Sequence, residues 1–219
     1  MKKMMRPTPT NHEITLDPYQ TIMSKTDRKG IIEYANDYFM EVSGYKEWEL
    51  MGQPHNILRH PDMPKIIFKL LWDRLNDAKP MRALVKNLAK DGSYYWVVAD
   101  FKTIQDFDGN IIAHYAKRKA VPEEVKERII PIYASLLELE KNSGVEAAEA
   151  YFQGLLEDKG ITYDQLILEL FNLSEEQLNS YLSSEISDND ILGGGLQASA
   201  EDVIKKTTKK KGLFGKLFG

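Results

Sequence analysis

No cysteine occurs among the 219 residues. The chain therefore has no disulfide framework, no thiolate metal site and no cysteine nucleophile. Long apolar runs are also missing, since no stretch approaches the ~18 apolar residues of a transmembrane helix. The opening segment, M-K-K-M-M-R-P-T-P-T, is positive but has no apolar run behind its charges, so it does not read as a signal peptide. The histidines lack close metal-ligand spacing, apart from His55 and His60 in a proline-bounded loop. Nothing sets a nucleophile beside a base. These gaps point to a non-enzymatic cytoplasmic protein without a membrane span.

Enough is present for a folded body. Hydrophobic residues make up 42% of the chain, sufficient for a buried core. The net charge of −4 hides an asymmetry: Lys205, Lys206, Lys209, Lys210, Lys211 and Lys216 place +6 on the last fifteen residues, which leaves −10 on the remainder. An acidic body argues against nucleic acid as the main partner, and a basic tail on it reads as a local address.

Strand-like runs at Gln20–Lys25 and Gly30–Ala35 flank the hairpin signal T-D-R-K-G. Asn36 and Asp37 cap a short helix through Val42, and Glu47–Met51 forms another turn. Pro64–Asp77 is amphipathic, with Ile67, Phe68, Leu71, Trp72 and Leu75 at spacings of three and four. Strands are expected at Ala83–Leu88, Tyr94–Gln105 and Ile111–Lys119, joined by the Asp-Gly turns A-K-D-G-S and D-F-D-G-N. After Pro122 the pattern turns helical. Val125, Ile129, Ile132, Leu136 and Leu139 make a short heptad-like seam, and Pro131 predicts a kink or restart within it. Capping boxes at Thr162 and Ser174 open two further helices.

Between the early helices and the third strand lies G-Q-P-H-N-I-L-R-H-P-D-M-P, from Gly52 to Pro64. Its three prolines forbid a long helix, yet it carries two histidines, an arginine and an aspartate between apolar anchors. A rigid, polar, irregular backbone suits a ligand wall. Taken with T-D-R-K-G-I-I-E-Y-A-N-D-Y-F-M-E-V-S-G-Y upstream and K-N-L-A-K-D-G-S-Y-Y-W-V downstream, it resembles the PAS sensor domain of bacterial aerotaxis receptors, which hold FAD. The resemblance covers roughly residues 19–119. It implies an α+β PAS fold, a five-stranded antiparallel sheet with short helices on one side, followed by an α-helical region.

The resemblance also implies site residues. Arg59, His60 and Asp62 match positions that the family needs for FAD; read without it, they are a solvated loop in which Asp62 pairs with Arg59. A permanently charged guanidinium can stabilise a reduced isoalloxazine ring, and His60 can report linked protonation. Asn36 and Asn87 match ligand-side asparagines, though Asn36 is equally explained as a helix cap. Asn87 lies in an apolar strand, where an amide is costly unless satisfied. Trp72 matches a flavin-cleft position, whereas Trp96 reads as core. Met81 stands where the family commonly has tryptophan, a departure that removes an aromatic wall but leaves a soft side chain able to pack on a ring. A haem reading would take His55, His60 or His114 as axial ligand, but none sits in the helical setting typical of haem PAS domains.

The organisation expected is a flexible lead over 1–18, a PAS sensor domain over 19–121, a helical transmission or interaction region over 122–187, a flexible linker over 188–208, and an amphipathic basic tail over 209–219. In that tail Leu213, Phe214, Leu217 and Phe218 share one helical face beside lysines, resembling the membrane-targeting helix of the Min-system ATPase. It implies peripheral attachment to the anionic inner face of the cell membrane. The function expected is a redox or oxygen-linked sensor that relays to a membrane-bound energy-taxis transducer, and the helical seam is expected to pack on the PAS domain or on a second copy, the latter giving a homodimer. The alternatives are a ligand-free PAS scaffold and a haem gas sensor.

Overall fold

Side chains alternate across a strand, so each strand lays every second residue on one face of a sheet. The computed structural model describes residues 6–183. Its strands are β1 (Ile22–Asp27), β2 (Ile32–Ala35), β3 (Met81–Leu88), β4 (Tyr94–Gln105) and β5 (Ile111–Ala120). They form one antiparallel sheet in the order β2-β1-β5-β4-β3. Between β2 and β3 come α1 (Asp37–Ser43), α2 (Glu47–Leu50), a single 3-10 turn at His55–Leu58, and α3 (Lys65–Asn76). After β5 follow α4 (Glu123–Ser143), α5 (Val145–Lys159), α6 (Tyr163–Phe171) and α7 (Glu175–Leu182). The expected α+β architecture is the observed one.

The register assigns the two faces. Asn87 faces Tyr95, Ala83 faces Ala99, and Met81 faces Phe101 across β3 and β4; Ala99 and Phe101 in turn face Arg118 and Ala116 on β5. Ser24 of β1 completes the row opposite Ala116. This inner face looks towards α1, α3 and the 3-10 turn, as the Ser24–His55 and Thr103–Leu75 hydrogen bonds show. The outer face carries Leu84, Lys86 and Trp96. It meets the helical half, where Trp96 stacks on Tyr133 at 6.2 Å between centroids and Tyr133 Oη donates to Leu84 O at 2.8 Å. From α7, Tyr181 Oη donates to Ala120 O at 2.7 Å. One continuous apolar cluster runs from Ile22 and Val97 through Val125 and Leu136 to Phe152 and Leu178.

Local chemistry sets the element ends. Asn36 Oδ1 accepts from Phe39 N at the start of α1. Thr162 and Ser174 each complete a reciprocal capping box, with Gln165 and Gln177. Gly92 holds φ +91° in the β3–β4 turn, and a Cβ there would lie 2.2 Å from Thr8 O. Only glycine serves that turn while the N-terminal segment passes over it.

Two expectations change and a third is narrowed. The lead over 1–18, expected to be flexible, is tied down across much of its described part: Thr10 N donates to Gly92 O, Tyr94 N to His12 O and Ile14 N to Tyr94 O, at 2.7–2.9 Å. Pairing of β5 with β4 ends at Ala120 opposite Val97, so the backbone of Tyr94 needs other partners on that edge, and the lead supplies them. Of the two partners expected for the helical seam, the described structure shows its own sheet: Val125, Ile129 and Leu136 are buried within their own chain, because the apolar outer sheet face offers them cover. Finally, α4 runs as one helix from Glu123 to Ser143 with Pro131 inside it, so there is no restart. The tail residues Leu213, Phe214, Leu217 and Phe218 and the expected linker lie outside the described residues.

Candidate functional site

The inner face gathers polar groups where a sheet surface would ordinarily be apolar. Arg118 enters from β5, 3% exposed, and its guanidinium lies 5.5 Å from the centre of the Phe101 ring. Its Nη1 donates to Ser24 Oγ at 3.0 Å and to Ala116 O at 3.4 Å, and its Nη2 to His55 Nε2 at 3.1 Å. That last bond makes His55 Nε2 an acceptor, so the imidazole is neutral. Burial, followed by the charge of Arg118, pulls it down to about 3. Burial likewise lowers the guanidinium to about 10, which leaves it charged at neutral pH.

Tyr95 stands on the same face, fully buried, and its Oη has no hydrogen-bond partner among the described residues. Burial pushes the phenol well up, with Arg118 pulling against it. Asn87, directly opposite on β3 and 5% exposed, is near enough to influence the phenol without closing a full hydrogen bond. Beneath these groups lie Ala83, Ala99 and Ala116, which leave the middle of the face low. A guanidinium, a phenol and an amide above small side chains have the chemistry to receive a flat ligand with a hydrogen-bonding edge.

The sequence-derived candidates do not assemble into one wall. Arg59 pairs by backbone with Asn87 on the free edge of β3. Its Nη2 donates to Met63 O at 2.9 Å, and its guanidinium lies 4.4 Å from the centre of the Phe68 ring. Burial lowers it, opposed by Glu140 of α4. His60 and Asp62 turn towards the other side of β3, to Lys86 and Tyr94. His60 Nδ1 accepts from Asp62 N at 3.1 Å, and its ring meets Tyr94 edge-on at 5.8 Å. Lys86 Nζ reaches Asp62 at 2.8 Å and lies 4.2 Å from the Tyr94 ring centre. Burial, then Lys86, brings His60 down to about 4 against the pull of Asp62. Burial raises the Asp62 carboxyl, but Lys86 and His60 hold it below its ordinary value. Asp62 therefore pairs with Lys86 and His60 rather than with Arg59.

The other candidates flank the inner face. Asn36 uses its amide structurally: Oδ1 accepts from Met23 N and Phe39 N, and Nδ2 donates to Thr21 O. Trp72 packs from α3 against Gly30 and meets His114 edge-on at 5.6 Å. Gly30 holds φ +81°, and a Cβ on it would press within 3.1 Å of the indole. Met81, 2% exposed, opens the inner row of β3 beside Phe101. Sequence reasoning missed Arg118, Tyr95 and Ser24, and weighed His55 as a metal or haem ligand and as part of a polar loop but not as a partner of Arg118. One signal was present: in Ile111–Ala120 the residues at 114, 116, 118 and 120 share a face, and an arginine interrupts its two alanines.

Residues 32–114 match the PAS fold family, and the strand order and helical insert are those of the PAS fold. Over 140 residues, 64% of this chain, the sequence is 39% identical to the aerotaxis receptor of Escherichia coli (strain K12), covering 26% of that protein. It is 30% identical over 95 residues to a bacterioopsin transcriptional activator of Halobacterium salinarum, covering 43% of this chain and 14% of that one. The chain thus spans about a quarter of the length of the aerotaxis receptor. Among solved structures, a light-oxygen-voltage domain aligns with a TM-score of 0.45 at 23% identity, over 56% of this chain and 88% of that one. Among the described residues no helix is long and apolar enough to cross a membrane.

Proposed function

We propose that this chain is a non-enzymatic redox or oxygen-linked sensor that binds FAD on the inner face of its PAS sheet and relays the flavin's state to a membrane-bound chemotaxis transducer. The observation that carries the reading is an unpartnered buried phenol, Tyr95, beside Asn87 and a buried guanidinium, Arg118, that meets only neutral acceptors, in a chain related to an aerotaxis receptor. Bound FAD supplies a ring whose hydrogen-bonding edge gains negative charge on reduction. Asn87, Tyr95 and Arg118 would meet that edge, and Trp72 and Met81 would bound it. Arg59, His60 and Asp62 act as positioning residues that pin the loop along β3.

Haem is less well supported. His55 Nε2 is engaged by Arg118 and Ser24, and His60 Nδ1 by Asp62 N. A haem ligated through His55 Nε2 would have to give up one of these bonds, whereas the buried Nε2 atoms of His60 and His114 have no partner among the described residues and are the ligands a haem would use. The relay is proposed to run through α4, because Glu140 Oε1 accepts from Ile66 N at the start of α3 and faces Arg59 electrostatically. One experiment separates the readings: the absorption spectrum of the purified full chain after incubation with FAD and gel filtration. The expected outcome is the two-band flavin spectrum. A Soret band would make it a haem sensor, and no cofactor absorbance a PAS interaction module.

A further inference from the structure

The positive charge of Arg118 is deep in the fold and faces only neutral acceptors. Ser24 Oγ, Ala116 O and His55 Nε2 are its hydrogen-bond partners, and it pairs with no carboxylate among the described residues. The two groups that could soften the charge do not: His55 is held neutral, and Tyr95 keeps its proton. An isolated buried cation is among the costliest things a fold can hold, whereas an apolar side chain of the same length would pack there at no such cost. On the opposite sheet face, buried Lys126 has Glu13 at 2.7 Å, so this chain does supply carboxylates to buried cations elsewhere. Beside Arg118 it supplies instead a phenol without a partner.

We propose that Arg118, backed by His55 and Ser24, is the charge-selecting contact of the PAS site, and that it favours a planar ligand whose ring edge carries negative charge over the same ligand when neutral. This rests on the flavin reading: the preference is for the reduced ring over the oxidised one. His55 and Ser24 act as positioning residues, because they fix the guanidinium through Nη1 and Nη2 and contribute no charge of their own. A planar fork held in this way differs from a point charge, which adds geometric selectivity to the electrostatic kind.

The test uses the full chain with Arg118→Met and Arg118→Lys. Without flavin, Arg118→Met is expected to melt at or above the parent temperature, since an unpaired buried charge is replaced by an apolar stem. With flavin, binding of dithionite-reduced ring should weaken at least tenfold more than binding of oxidised ring. A tenfold difference lowers the two-electron midpoint by ~30 mV. Arg118→Lys should retain part of the preference. Riboflavin, which has no phosphate, should show the same differential loss as FAD. The proposal is overturned if Arg118→Met destabilises the flavin-free chain, if both redox forms lose affinity equally, or if FAD alone is affected, which would place the contact at phosphate. Failure of the flavin reading would appear in the parent, as uptake of neither flavin. In that case a flavin-free melt of Arg118→Met above the parent still supports a charge kept for another anionic ligand, and a lower one overturns it. Tyr95→Phe gives a second, independent reading: the flavin-free melt should not fall, and reduced-flavin affinity should drop more than oxidised.

Discussion

His55 and His60 lie five residues apart in one loop, yet they meet opposite faces of the sheet and reach neutrality by different routes. His55 is neutral because it is buried against a cation, and His60 because it is buried near Lys86 with its Nδ1 accepting from Asp62 N. Their folded values, about 3 and about 4, both lie below the ordinary 6.5. The unfolded chain therefore binds more protons between these limits, so stability is complete above pH 6.5 and falls as the pH drops below it. Each histidine contributes ~1.4 kcal/mol per pH unit while only its unfolded form titrates. Urea midpoints measured from pH 7 to 5 should show this slope. His60→Asn, which keeps an acceptor for Asp62 N, should remove only the His60 share of it, because burial also lowers His114. An unchanged slope would mean that His60 is not neutral in the folded state.

At the scale of elements, β3 is an edge strand that the chain covers thoroughly. Arg59 bridges Asn87, Lys86 N donates to Met63 Sδ at 3.2 Å, and Tyr133 caps Leu84 O. The loop with the three charged candidates thus protects an edge, which explains why its side chains divide between two faces. Leu136 of α4 is wholly buried in the shared cluster. Leu136→Asp should therefore cost more than ~3 kcal/mol of stability, because a carboxylate would be buried without a partner. Denaturant titration together with light scattering checks this. A variant as stable as its parent but altered in self-association would place the seam between two copies instead.

For the whole molecule, the acidic body and the basic end have separate tasks in the proposed function. The last residues, with Leu213, Phe214, Leu217 and Phe218 beside Lys209, Lys210, Lys211 and Lys216, are expected to take the chain to anionic bilayers. Each lysine near the surface adds ~1 kcal/mol. In liposome co-sedimentation, the full chain should pellet with anionic vesicles at low salt, and a chain ending at Lys206 should stay in solution. Equal behaviour of the two would remove the membrane role. The parts legible in the sequence were those governed by neighbouring residues: the Asn36 cap, both Asp-Gly turns, the Thr162 and Ser174 capping boxes, and the extent of β4 between its turns. Each depends on contacts within a few positions, so local chemistry suffices. The inward turn of Arg118, the docking of the N-terminal lead on Tyr94, the division of Arg59 from His60 and Asp62, and the packing of the α4 seam on its own sheet were decided only by the tertiary structure. All four depend on strand register and on which face is covered, and a slip of one residue would exchange the faces.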